Sequence, residues 1–157
     1  MTVLAIVHFL HLVFGLLWIG GLAVFAIAWY PLLAEFPPDR GGALQSVIGR
    51  RAGPAMAIAG IGVMVTGLLR AWLGGGVTEI GDLAAPYGLL VLLSLAIVIA
   101  HAVLGGRERK AVAAALQLPA ADAAQALRAL ARRIRLTTAA AALSVLAIMA
   151  MLGLGMY

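Results

Sequence analysis

The chain has 157 residues, 64% of them hydrophobic and 11% charged, and its mean hydropathy is +1.10. That apolar excess is more than a soluble core of this size could bury, which excludes an ordinary water-soluble domain and gives a single folding unit in a membrane. Cysteine is absent, excluding disulfides, thiolate metal sites and a cysteine nucleophile. The formal charge of +5 comes from basic residues gathered between apolar runs, the pattern of cytoplasmic loops rather than of a nucleic-acid surface.

Four runs reach the ~20 apolar residues that a helix needs to cross the hydrocarbon core. They cover about residues 3–29, 52–73, 87–104 and 136–156. The expected fold is therefore all-α: one integral membrane domain over 1–157, built as a four-helix transmembrane bundle.

The first run lacks a basic leader and continues far beyond ~15 residues without a clean small-residue cleavage site, so it reads as a span and not as a signal peptide. It carries His8 and His11, three residues apart and so on one helix face. Gly15 follows His11 by one turn and Trp18 by two, which adds a gap and an aromatic wall to that face. Polar side chains at membrane depth are costly and usually mark function. Tyr30-Pro31 is expected to end the run, since proline lacks an N–H and biases its predecessor away from helix. A turn-rich loop through Pro37, Pro38 and Gly41-Gly42 follows.

Arg50 and Arg51 introduce the second run, which holds Met64 near its middle and Arg70 near its far end; Gly74-Gly75-Gly76 stops it. A loop with Glu79 and Asp82 leads through Pro86 to the third run. His101 lies near the inner end of that run, before Gly105-Gly106 and the basic stretch from Arg107 to Lys110. In the long connection that follows, Pro119 and Asp122 mark a helix start. Leu127, Leu130, Ala131 and Ile134 recur at helical spacing opposite Arg128, Arg132, Arg133 and Arg135. Residues 119–135 are thus expected to form an amphipathic helix at the headgroup surface that runs into the fourth span. That span carries Met149, Met151 and Met156.

Ten basic residues fall on the side shared by the first and third connections, and only Arg70 falls on the other. The positive-inside rule places both termini on the outer side. With ~1.5 Å of rise per residue, His8, His11, Met149, Met151 and Met156 share the outer half of the bilayer, while His101 lies about 15 Å from His11 along the membrane normal. His101 then belongs to a different site or to none.

Two imidazoles with nearby thioethers and no thiolate suit a cuprous ion, and neutral ligands suit a low-dielectric site. Haem b is the alternative: His11 would ligate the iron, a methionine would be the only second ligand at that depth, and Gly15 would let the macrocycle approach the backbone. Arg70 would then pair with a propionate; otherwise it is a snorkelling interface anchor. Methionines in an apolar helix also act as packing filler, and an intramembrane histidine also acts as a helix-to-helix hydrogen-bond donor. A third reading follows from these, a ligand-free structural or assembly subunit of a membrane complex. The acidic residues Glu35, Asp39, Glu79, Asp82, Glu108 and Asp122 are all expected in loops. No paired carboxylate, activated nucleophile or phosphate loop argues for an enzyme, and no intramembrane carboxylate argues for proton-driven transport.

The stretch Leu10-His11-Leu12-Val13-Phe14-Gly15-Leu16-Leu17-Trp18-Ile19-Gly20-Gly21-Leu22 resembles the first span shared by the copper-resistance protein D (CopD-like) family and the related bacterial membrane protoporphyrinogen oxidases (HemJ-like). Val65 to Leu73 is similar to the end of the second span of the copper group, and Ala85-Pro86-Tyr87-Gly88-Leu89-Leu90 to the start of its third. His101 to Arg107 is similar to the end of the third span of the oxidases. The resemblance covers most of the chain. It implies a bacterial inner-membrane protein that binds and imports copper, or one that ligates haem through His11, the histidine before the tryptophan. The oxidases carry a lysine in the third span where this chain is apolar around Leu90, which argues against protoporphyrinogen oxidation; the copper group often has one where this chain has Ser94. The partners implied are the lipid bilayer, a metal ion or haem, and a second copy or other membrane subunits, with no nucleic acid.

Overall fold

The computed structural model describes residues 2–155, so Met156, the last residue of the expected fourth span, lies outside the described part. Among the described residues the structure is helical, with four helices long and apolar enough to cross a membrane. They are α1 (Val3–Leu33), α2 (Pro38–Leu73), α3 (Pro86–Ala115) and α4 (Ala120–Leu154). The chain is a multi-pass membrane protein. The turns at 34–37 and 116–119 lie at one end of the bundle, called here the basic end. The 74–85 connection lies at the other, the termini end.

All four helices extend beyond or around the expected boundaries, for reasons visible in the sequence. Tyr30-Pro31 does not end α1. A π-helical turn at Phe25–Trp29 precedes the proline, with the Tyr30 N–H donating to the Phe25 carbonyl. Proline lacks a donor and crowds the carbonyl four residues back, and the wider π turn accommodates both defects without breaking the helix. α2 starts at Pro38, where a proline in the first turn loses no hydrogen bond and Asp39 complements the helix dipole. Its 36 residues run for about 54 Å, well past the hydrocarbon core. Pro86 starts α3 in the same way.

The segment at 119–135 and the fourth span form one helix of 35 residues. Its apolar stripe does not lie on the headgroup surface. Leu127, Ala131 and Ile134 are buried against Ala26, Tyr30 and Leu33 of α1 and against Val112, Ala115 and Leu116 at the end of α3. Two short turns hold these helix ends together, so the stripe removes more apolar surface from water against protein than it would on lipid headgroups. Trp29 Nε1 donates to Gln45 Oε1 at 2.6 Å and ties α1 to α2 at the same end.

Nearer mid-membrane, Trp18, Ala59 and Val98 form a second small core, with Met56, Val63 and Met64 packed on it. Glycine allows the close approach of α1 and α2: a Cβ on Gly62 would lie 2.6 Å from the Phe14 ring, and one on Gly60 would lie 3.2 Å from Trp18 Nε1. Large apolar side chains such as Leu16, Ile27, Ile58 and Leu143 stay exposed, as lipid-facing residues must.

The 74–85 connection is shaped by Asp82 on a 3₁₀ turn at Ile80–Ala84. Its carboxylate accepts from the backbone N–H of Thr78 (2.7 Å) and of Glu79 (3.0 Å), and from Thr78 Oγ1 (2.9 Å). The Thr78 amide, followed by the Glu79 amide, holds Asp82 below its ordinary pKa. A lowered pKa in the fold means that this stabilisation is present above the usual carboxylate range and is lost as pH falls through the Asp82 value. Amide exchange at Thr78 and Glu79 should therefore be slow near neutral pH and lose its protection on acidification. Asp82→Asn should remove that pH dependence; an unchanged profile would refute it.

Candidate metal site

The site begins with one turn of α2. Thr66 Oγ1 donates back to the Gly62 carbonyl at 2.6 Å, a common use of threonine inside a membrane helix. Its proton is thereby committed, and its oxygen faces α1 as an acceptor. His11 Nδ1 lies 3.1 Å from the Val63 carbonyl and 3.2 Å from Thr66 Oγ1. A carbonyl only accepts, so Nδ1 carries the proton and donates to both. The neutral ring then has its lone pair on Nε2, the nitrogen free to ligate. Gly67 lets the ring come this close, since a Cβ there would lie 3.1 Å from His11 Cε1.

His8 sits one turn nearer the termini end and is exposed. It lines an open recess of about 420 Å³ together with Thr2, Arg70 and Tyr87. Arg70 occupies the last turn of α2, where its charge complements the helix dipole, and it lies within electrostatic reach of His11.

The other expected site residues have different surroundings. Gly15 is not an open notch, because Val63 fills the space over it, 3.7 Å from where a Cβ would be. Trp18 is buried in the mid-membrane core, edge-on to His101 with ring centroids 5.8 Å apart and an interplanar angle of 84°. His101, 4% exposed, thus belongs with Trp18, two turns along α1 from His11, and not with the His11 site. Met149 and Met151 are 48% and 38% exposed on α4, whereas the neighbouring Ile148 is buried. Met64 packs on the core as filler.

Sequence reasoning misses two partners of His11, the Val63 carbonyl and Thr66, and misplaces Glu108. A backbone acceptor has no signature in the sequence. Thr66 was visible as a polar residue in the interior of the second run. Glu108 does not lie in a loop; it is 4% exposed within α3 and accepts from Thr137 Oγ1 at 3.3 Å. The basic residues around it hid its inward position.

Among the described residues no cluster of three or more His, Asp or Glu is placed to hold a metal ion. Comparison with protein-family models, curated proteins and solved structures finds no match to this chain. The arrangement at the termini end is thus two imidazoles on one helix face, one of them oriented by a neighbouring helix, beside a recess containing a guanidinium.

Proposed function

We propose that this chain is an inner-membrane copper-handling protein that takes up a cuprous ion on His8 and His11 at its outer face. The supporting observation is the Nδ1–H of His11 donating to the Val63 carbonyl, the outer-shell hydrogen bond that orients a metal-ligating imidazole and leaves Nε2 for the ion. Neutral imidazoles suit copper, and two of them at a spacing of three need no cavity. The lopsided distribution of Lys and Arg supports termini on the outer side, so that the ion would arrive from outside the cell. Inward transport is what the likeness of the Leu10–Leu22 stretch to the CopD-like first span implies.

A small ion fits the donor set better than a macrocycle, because Val63 fills the face at Gly15 and Trp18 is committed to the core. One observation favours haem as a second reading: Arg70, near His11, would suit a propionate.

Metal analysis of detergent-purified protein loaded with cuprous ion tests the proposal. The wild-type chain should retain copper, and the His8→Ala, His11→Ala double variant should lose it. Equal copper in both would overturn the reading. An absorption spectrum of the same samples, oxidised and then reduced, should be flat; a Soret band lost in His11→Ala would establish the haem reading instead.

A further inference from the structure

Up to Leu104, α3 carries three polar side chains, Tyr87, Ser94 and His101, and Glu108 follows. Each is seven residues from the last. Seven residues are within about 20° of two full turns, so all four share one face of the helix. At about 10.5 Å per step the stripe is about 32 Å long, close to the ~30 Å hydrocarbon thickness. It faces inward: Tyr87 and Ser94 are half-buried, and His101 and Glu108 are buried.

The copper site uses none of the inner part of this stripe. His101 meets the Trp18 ring, and the one hydrogen-bond partner of Glu108 among the described residues is Thr137. Glu108 lies within electrostatic reach of both His101 and Tyr30. Tyr30 of α1 and His101 of α3 are the titratable groups near it, with Arg109 acting on Tyr30 from the same end. α4 contributes the Thr137 hydroxyl, and the buried polar side chain of α2, Thr66, lies on the His11 side. A buried carboxyl and imidazole in a membrane bundle are costly, and such pairs mark ion and proton pathways.

We propose that this face of α3 is a proton path across the membrane, with Glu108 its exchanging group at the basic end and His101 the relay one step toward the termini end. A proton entering at the recess beside Tyr87 passes through intervening water to one ring nitrogen of His101; the Ser94 oxygen accepts from that water while its own hydroxyl donates to the Leu90 carbonyl at 2.8 Å. The ring releases its other proton through further intervening water, which spans the roughly two helical turns to the Glu108 carboxylate, and Glu108 gives a proton up to water at the basic end. At each hop one N–H or O–H bond forms as another breaks, and no oxidant or reductant takes part.

The test uses the full chain in liposomes with a pH-sensitive dye inside and a potassium diffusion potential set by valinomycin. It is run without copper, so failure of the copper reading leaves it unaffected. Wild-type vesicles should acidify at least tenfold faster than protein-free vesicles. Glu108→Gln keeps a carbonyl acceptor for Thr137 and should fall to the protein-free rate, as should His101→Gln. Glu79→Gln, at an exposed position, should conduct like wild type, and gel-filtration profiles show that each variant is folded. Wild-type flux no faster than protein-free vesicles, or Glu108→Gln conducting like wild type, would overturn the proposal.

Discussion

A His11→Ala chain is expected to bind cuprous ion on the order of 100-fold more weakly than wild type, about 2.7 kcal/mol. The substitution removes the imidazole whose proton is committed to Val63 and Thr66, and with it the oriented Nε2 lone pair. The Met149→Leu, Met151→Leu double variant should bind like wild type, because both side chains are exposed on α4 and the proposed site is carried by the two imidazoles. Competition with a chromophoric cuprous chelator measures both. A methionine variant that weakens binding as much as His11→Ala would mean that the thioethers ligate after all.

Leu33→Ala should be the most destabilising simple truncation at the basic end. Leu33 is 0% exposed and packs in the cluster that joins the ends of α1 and α3 to the start of α4. Removing its branched side chain leaves a cavity among short turns that have little freedom to collapse, at a cost of about 2–5 kcal/mol. Thermal unfolding in detergent should show a fall of roughly 2–4 °C per kcal/mol for a chain of this size. Leu16→Ala, at a position 73% exposed to lipid, should hardly change the midpoint. Equal losses for the two variants would argue that the bundle is not packed as described.

How much of this was legible in the sequence depended on the kind of signal. Four apolar runs of spanning length establish an all-α membrane bundle almost by arithmetic, and the structure has four such helices. Helix ends were misjudged wherever proline was read as a terminator. Pro31 follows a π turn that absorbs its defects, and Pro38 begins a helix instead of sitting in a loop, whereas Pro86 opens α3 next to the expected boundary. The 119–135 stripe was correctly read as amphipathic, but its partner was not, because periodicity gives the direction of an apolar face and not what covers it. At the site, the i, i+3 histidine pair was visible as a pattern. That His11 turns toward α2, that Val63 fills the space at Gly15 and that Glu108 turns inward are facts of packing between helices distant in sequence.

The most direct test of copper on His8 and His11 is X-ray absorption at the copper edge on the cuprous-loaded, detergent-purified protein. A first shell of light scatterers only, with the outer-shell pattern of imidazole, and its disappearance in the His8→Ala, His11→Ala variant, is the predicted result. A sulfur scatterer in the first shell, or the same spectrum from the double variant, would contradict the account.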